Sequence, residues 1–243
     1  MRNMLVILGV VAAVAVVGFA AYEKFGTVSV SAPAPVAATN GATSSAAAQQ
    51  STTPRLQSTP AAASGAMTFT VKPDDMVLGS PDAKLTIYEY ASLTCPHCAN
   101  FAVNILPALK TEYIDKGLVN LVYRDFPLDG LALRAAMMAH CAGPERYFGF
   151  IDLLFTRQVQ WATAKDPLEG LAAVGKIGGM SDDQFKACLT DKSVEQVVLA
   201  SALEGEKTYN VTGTPTLFID GGRYSGVPIE QLRAILDPIL ASK

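Results

Sequence analysis

Charge is scarce in this chain: only 17% of its 243 residues are Asp, Glu, Lys or Arg. Nineteen Lys+Arg stand against 22 Asp+Glu, for a net charge of −3, and no long basic run occurs. Such a chain lacks the electrostatic footprint of a nucleic-acid-binding protein. Histidine is scarcer still. His97 and His140 are the only two, which leaves little material for a histidine-built metal centre. Four cysteines are an even number but far too few for a disulfide-framework miniprotein. What the chain has in quantity is apolar residues, 50% of the total. That supplies one or two domains with a real core and excludes a wholly disordered protein.

The charge is also unevenly spread. Residues 1–66 carry Arg2, Lys24 and Arg55 against Glu23 alone, a balance of +2, so the remaining 177 residues carry −5. From Leu5 to Ala21 run 17 residues without a charged or polar side chain, behind Met1, Arg2 and Asn3. A positive start before an apolar run marks the downstream chain for export. Its length lies between a cleaved signal peptide and a spanning signal-anchor, so residues 1–22 are assigned as one or the other. Residues 23–66 read as a disordered linker. From 27 onward they are Ala, Ser, Thr, Pro, Gln and Gly with Arg55 the sole charge among few large apolar residues, a composition that cannot offset its own ordering entropy.

Past residue 66 the pattern is α/β. Lys84–Ala91 (KLTIYEYA) and Leu118–Arg124 (LVNLVYR) read as strands. Between them a helix carries Phe101, Ile105, Leu109 and Tyr113 at four-residue spacing, with a kink expected at Pro107. A run of helices comes next, opened by Asp129, by Pro144 and by Asp166-Pro167, the last closed at Gly178-Gly179. Ser181-x-x-Gln184 and Ser193-x-x-Gln196 both have the form of capping boxes. Thr216–Asp220 and Gly222–Ser225 then suggest a hairpin about Gly221-Gly222, and Ile229–Leu240 a closing helix. Strand–helix–strand, a helical block, then strand–strand–helix implies a domain at 67–128 and 210–243 split by a helical insertion at 129–209.

The chemistry concentrates in Cys95-Pro96-His97-Cys98, placed between a strand and a helix start. A cysteine at a helix N-terminus has unpaired backbone N–H groups and the helix dipole to favour its thiolate. Cys95 is therefore expected to be the exposed nucleophile, and Cys98, one turn on, the thiol that resolves a mixed disulfide. His97 lies between them and can add positive charge or a hydrogen bond. Stabilising the thiolate stabilises the reduced form, which makes the disulfide a stronger oxidant. Half a zinc site is the competing reading, but the other cysteines, Cys141 and Cys188, are isolated. Glu89 stands six residues before Cys95, in a strand whose neighbours imply burial. A buried carboxyl resists ionisation, so Glu89 is a candidate to accept or relay the Cys98 proton. Its alternative is an edge position facing water. His140 reads as a helix-surface residue.

Cys95-Pro96-His97-Cys98 after a strand, a helical block splitting the α/β unit, and Thr212-Gly213-Thr214-Pro215 before a late strand together resemble the DsbA-like thiol–disulfide oxidoreductases of the thioredoxin superfamily. The likeness runs from about residue 67 to the C-terminus. It implies a thioredoxin-like fold, a redox-active Cys95–Cys98 disulfide, and a cis proline at Pro215 which, with Thr214, borders the substrate site. It implies a periplasmic, exported enzyme, held at the inner membrane if residues 5–21 remain attached. Its partners would be reduced exported proteins and a quinone-linked membrane reoxidant. No cofactor or metal is called for, and a monomer is expected. Cys141 and Cys188 invite a second, structural disulfide in an oxidising compartment, as in some family members; two free buried thiols are the alternative. Thr214, where oxidising members often carry valine, keeps a disulfide isomerase or reductase open beside the oxidase. A metal-binding thiol chaperone using Cys95, His97 and Cys98 is a third reading.

Overall fold

The computed structural model describes residues 68–243. The Leu5–Ala21 segment and the 23–66 linker lie outside the described residues.

Five strands form one sheet in the order β1-β3-β2-β4-β5. Strands β2 (Leu85–Ala91) and β3 (Val119–Asp125) are the two expected, and they pair in parallel along all seven residues. Strands β4 (Thr216–Ile219) and β5 (Gly222–Tyr224) are the expected hairpin. Asp220 and Gly221 both take positive φ at its turn, the conformation in which a two-residue loop matches strand twist. Strand β1 (Met76–Leu78) has no counterpart among the expected elements. Its three residues are too few for a periodicity signal, and it exists by pairing antiparallel to β3.

After β2 the chain enters α1 (Pro96–Asn100), and helical backbone continues to Ile114. The expected kink takes the form of two π-helical stretches, Phe101–Ile105 and Lys110–Ile114, around the short α2 (Leu106–Leu109). Pro107 has no N–H to give the α-helical ladder, and just before it the Leu106 N–H bonds to the Phe101 carbonyl, five residues back. Buried Phe101, Leu109 and Tyr113 from this segment meet Leu232 and Leu236 of α9 (Ile229–Ala241) on one face of the sheet. The opposite face is aromatic: Phe69 stacks on Tyr88 and Tyr209, beside Phe218.

Between β3 and β4 come α3 (Gly130–Cys141), α4 (Pro144–Thr156), α5 (Gln158–Ala162), α6 (Pro167–Ile177), α7 (Asp182–Thr190) and α8 (Lys192–Lys207). Asp129, Asp166 and Ser181 cap their helices with side-chain acceptors, Ser181 in a full capping box with Gln184. The second expected box is wrong. Helix α8 is capped by Asp191, whose carboxylate accepts from the Ser193 and Val194 N–H groups, so Ser193 already lies in the first turn. A carboxylate two residues earlier satisfies the same orphan donors and adds a favourable charge at the helix N-terminus. Helix α8 comes so close to the sheet that a Cβ on Gly205 would stand 2.7 Å from the Tyr90 ring. Cys141 at the end of α3 and Cys188 in α7 are joined by a disulfide.

Candidate active site

Strand β2 delivers the chain to Ser92-Leu93-Thr94, and the Cys95 N–H closes a turn on the Ser92 carbonyl. The carbonyl of Cys95 then accepts from the Ala99 N–H, starting α1 with Cys95 as its extended N-cap. Polar side chains hold the loop to the insertion. Ser92 Oγ accepts from the Leu128 N–H at 3.2 Å, and Thr94 Oγ1 donates to Asp129, the cap of α3, at 2.7 Å.

Cys95 and Cys98 are free thiols, and they sit in the hydrophobic cluster of the insertion rather than in the core below the sheet. Cys98 is fully buried, while Cys95 is 6% exposed. The expected exposed nucleophile is thus corrected to a largely buried one that keeps only a small part of its surface open to solvent. Residues far away in sequence cover it: Thr214, whose carbonyl accepts from the Cys95 thiol at 3.3 Å, and the insertion helices. Pro96 and His97 are exposed beside it, and His97 makes no hydrogen bond to Cys95. The Thr214–Pro215 peptide is cis, with Pro215 buried.

Around Cys98 the buried environment includes polar groups. Burial pushes the Cys98 thiol well above its ordinary range, and the nearby Glu89 adds to the shift; the Ser92 backbone and the Thr214 hydroxyl oppose it. Thr214 Oγ1 is itself buried without a partner in the neutral site, so it is poised to bond sulfur when the sulfur carries charge. Glu89 is 2% exposed and Oε1 has no hydrogen-bond partner. Desolvation lifts its carboxyl from 4.5 to about 8. The edge-strand alternative for Glu89 does not hold, because β2 is flanked on both sides by β3 and β4.

Several polar residues around the site had no signal in the sequence. Gln158 of α5 is buried and its Nε2 donates to both the Leu93 carbonyl at 2.8 Å and the Cys95 carbonyl at 3.0 Å. Sixty-three positions separate it from Cys95, and its helix is only five residues long. His140, expected on a helix surface, instead pairs its Nε2 with Asp125 Oδ2 at 2.7 Å and is mostly buried. The reason is that the end of α3 brings His140 to Asp125, the last residue of β3, a buried carboxylate that needs a partner. Among the described residues no group of three or more His, Cys, Asp or Glu could hold a metal ion.

A dithiol at the end of a central strand, a helix starting on its first cysteine and a cis proline opposite define a thioredoxin-fold redox protein. The family model described as Thioredoxin matches residues 71–238. A protein of Rickettsia bellii named "Putative protein-disulfide oxidoreductase" is 33% identical over 172 residues, which cover 70% of this chain and 66%, just under two thirds, of that relative's length. Wolbachia pipientis alpha-DsbA1 has a crystal structure that superposes with a TM-score of 0.66 at 29% identity, over 71% of this chain and 94% of that one. A structure titled as a protein-disulfide isomerase of Novosphingobium aromaticivorans has a TM-score of 0.60 at 25% identity, over 68% of this chain and 97% of that one. The chain belongs to the thioredoxin family, in its DsbA-like branch of thiol–disulfide oxidoreductases.

Proposed function

We propose that the protein is a thiol–disulfide oxidase that introduces disulfide bonds into exported proteins through Cys95 and Cys98. The observation that carries this is the asymmetry of the pair. Cys95 alone keeps some surface open to solvent, at a helix start beside the Thr214 carbonyl, while Cys98 is sealed over a protonatable Glu89. A substrate thiolate attacks Cys95 Sγ of the oxidised pair and the Cys95–Cys98 bond breaks. Cys98 leaves with the electron pair and takes a proton from the Glu89 carboxyl. A second substrate thiolate attacks the substrate sulfur of the mixed disulfide, expelling Cys95 as a thiolate and leaving the substrate oxidised. His97 serves as the exposed flank of Cys95, and Thr214 and Pro215 border the incoming chain. Pro215 presents no N–H, which leaves space beside the cysteines.

Reoxidation by a quinone-linked membrane partner completes the cycle. Export to the periplasm rests on the Leu5–Ala21 segment and fits the Cys141–Cys188 disulfide, a bond that persists in oxidising compartments. Retention of the full-length chain by carbonate-washed membranes would mark the segment as an anchor; a soluble product starting near Ala21 would mark it as a cleaved signal.

A second reading, isomerase, is favoured by Thr214 and by the likeness to the Novosphingobium structure. Equilibration with glutathione separates the two. An oxidase lies at about −120 mV, the potential of strongly oxidising DsbA, and an isomerase at about −180 mV. A value near −180 mV or lower, together with failure to oxidise a reduced unfolded client, defeats the oxidase reading.

A further inference from the structure

Each turnover moves a proton into and out of the buried Cys98 site. Yet during the mixed disulfide the open surface of Cys95 is covered by substrate. The proton needs another way through the protein, and a line of polar side chains leads away from Cys98 on the opposite side. Glu89 and Tyr123 are register partners on adjacent strands and so project on the same face of the sheet. Glu89 Oε1 and the Tyr123 hydroxyl are both buried and both without a hydrogen-bond partner. Native interiors rarely leave two such atoms on one face of a sheet without a use. The Tyr123 ring lies 6.0 Å edge-on from that of Tyr147. The Tyr147 hydroxyl donates to Asp125 Oδ2 at 3.5 Å, and the same oxygen meets His140 Nε2 at 2.7 Å. Tyr123, Asp125 and His140 all line a cavity of about 80 Å³ that Lys72 and Glu204 also border. Those two side chains are partly exposed, so the cavity lies at the protein surface.

We infer that Tyr123, Tyr147, Asp125 and His140 form a rear proton entrance that reloads Glu89 from this cavity while substrate covers Cys95. The inference rests on the proposed Glu89 relay to Cys98. The balance is simple: Glu89 gives its proton to the leaving Cys98 thiolate and is reprotonated through the Tyr123 hydroxyl, and His140 exchanges the deficit with solvent at the cavity. Reoxidation runs the same path outward. No electrons pass along it, so these residues set a rate and leave the equilibrium potential alone.

The test monitors the reduction of the oxidised full-length protein by a cysteine-containing peptide, in H2O and in D2O. Trp161, buried on the same short helix as Gln158 and the only tryptophan, supplies the fluorescence signal. Tyr123→Phe deletes a hydroxyl that has no partner, so the fold should be kept; Asp125→Asn provides a second variant in the same line. Both should slow the reaction by about tenfold, less than the hundredfold or more of a lost general acid because slow exchange through the front remains. The solvent isotope effect should rise and the Cys95–Cys98 potential should stay put. Wild-type rates in both variants, alongside a slow Glu89→Gln, overturn the rear entrance alone. A fast Glu89→Gln overturns the relay beneath it. A potential that moves in step with the rate also overturns the inference, because the residues would then be acting on the thiolates and not on proton delivery.

Discussion

Glu89 makes the protein's stability depend on pH in a direction opposite to that of most carboxylates. In the unfolded chain the group ionises near 4.5; in the folded protein it does so at about 8. Between those values the folded state holds a proton that the unfolded state has released, so stability declines as pH rises through the window. Below 4.5 both states are protonated and the stability is fully present; above 8 the loss is complete. A span of about three and a half pH units at about 1.4 kcal/mol each makes the total loss about 5 kcal/mol, of which about 3 kcal/mol is gone by pH 7. For a domain of this size that corresponds to roughly 6–12 °C in Tm at pH 7. Cys98 lowers stability only as the unfolded thiol ionises near 9, above this window, and does so equally in both proteins, so it cancels from their difference. Glu89→Gln removes the ionisable group while keeping the shape. Urea unfolding of both proteins at half-unit steps from pH 4.5 to 9 should show the wild type losing stability relative to the variant, with the difference levelling above pH 8. The difference between the two curves is the decisive quantity, since any constant cost of the amide cancels from its slope. A flat difference would falsify the claim that Glu89 is buried and uncompensated, and a wild type that gains on the variant with pH would reverse its sign.

Alkylation of the reduced protein should label Cys95 and spare Cys98, which has no exposed surface and a thiol held protonated by burial; faster labelling of Cys98 in the folded protein would exchange their roles. Replacing Cys141 and Cys188 together by alanine opens a loop with a sequence separation of 47 and should cost up to about 4 kcal/mol in the chain-entropy model, measured by denaturant unfolding, with client oxidation by Cys95 and Cys98 retained. Gln158→Leu leaves the Leu93 carbonyl without that donor in a buried site and should cost about 1–3 kcal/mol. It should also alter the Cys95 alkylation rate, because the same amide holds the Cys95 carbonyl; an unchanged rate would reduce Gln158 to packing.

Much of the fold could be read along the chain because its signals are local. The β2 and β3 segments are rich in β-branched and aromatic residues, and helix starts are marked by Asp129, Asp166 and Ser181. Local signals also misled. Ser193-x-x-Gln196 has the form of a cap, but Asp191 reaches the same amides from a better position. Strand β1 and helix α5 carry no legible signal because three and five residues cannot display a period.

For the site, the sequence by itself determined which two cysteines share one helix start and in what order they stand. Two cysteines three positions apart at a helix start are within reach of one another in any fold that keeps the helix. The burial of Glu89 was also legible, since its strand neighbours are apolar. Only the tertiary structure decided how far Cys95 is covered, which carbonyls Gln158 holds and where His140 points. Those are contacts between segments 15 to 119 positions apart. A chain can announce what a residue prefers as a neighbour. Which of several acceptable neighbours it receives depends on how the insertion closes over the sheet, and no spacing along the sequence encodes that distance.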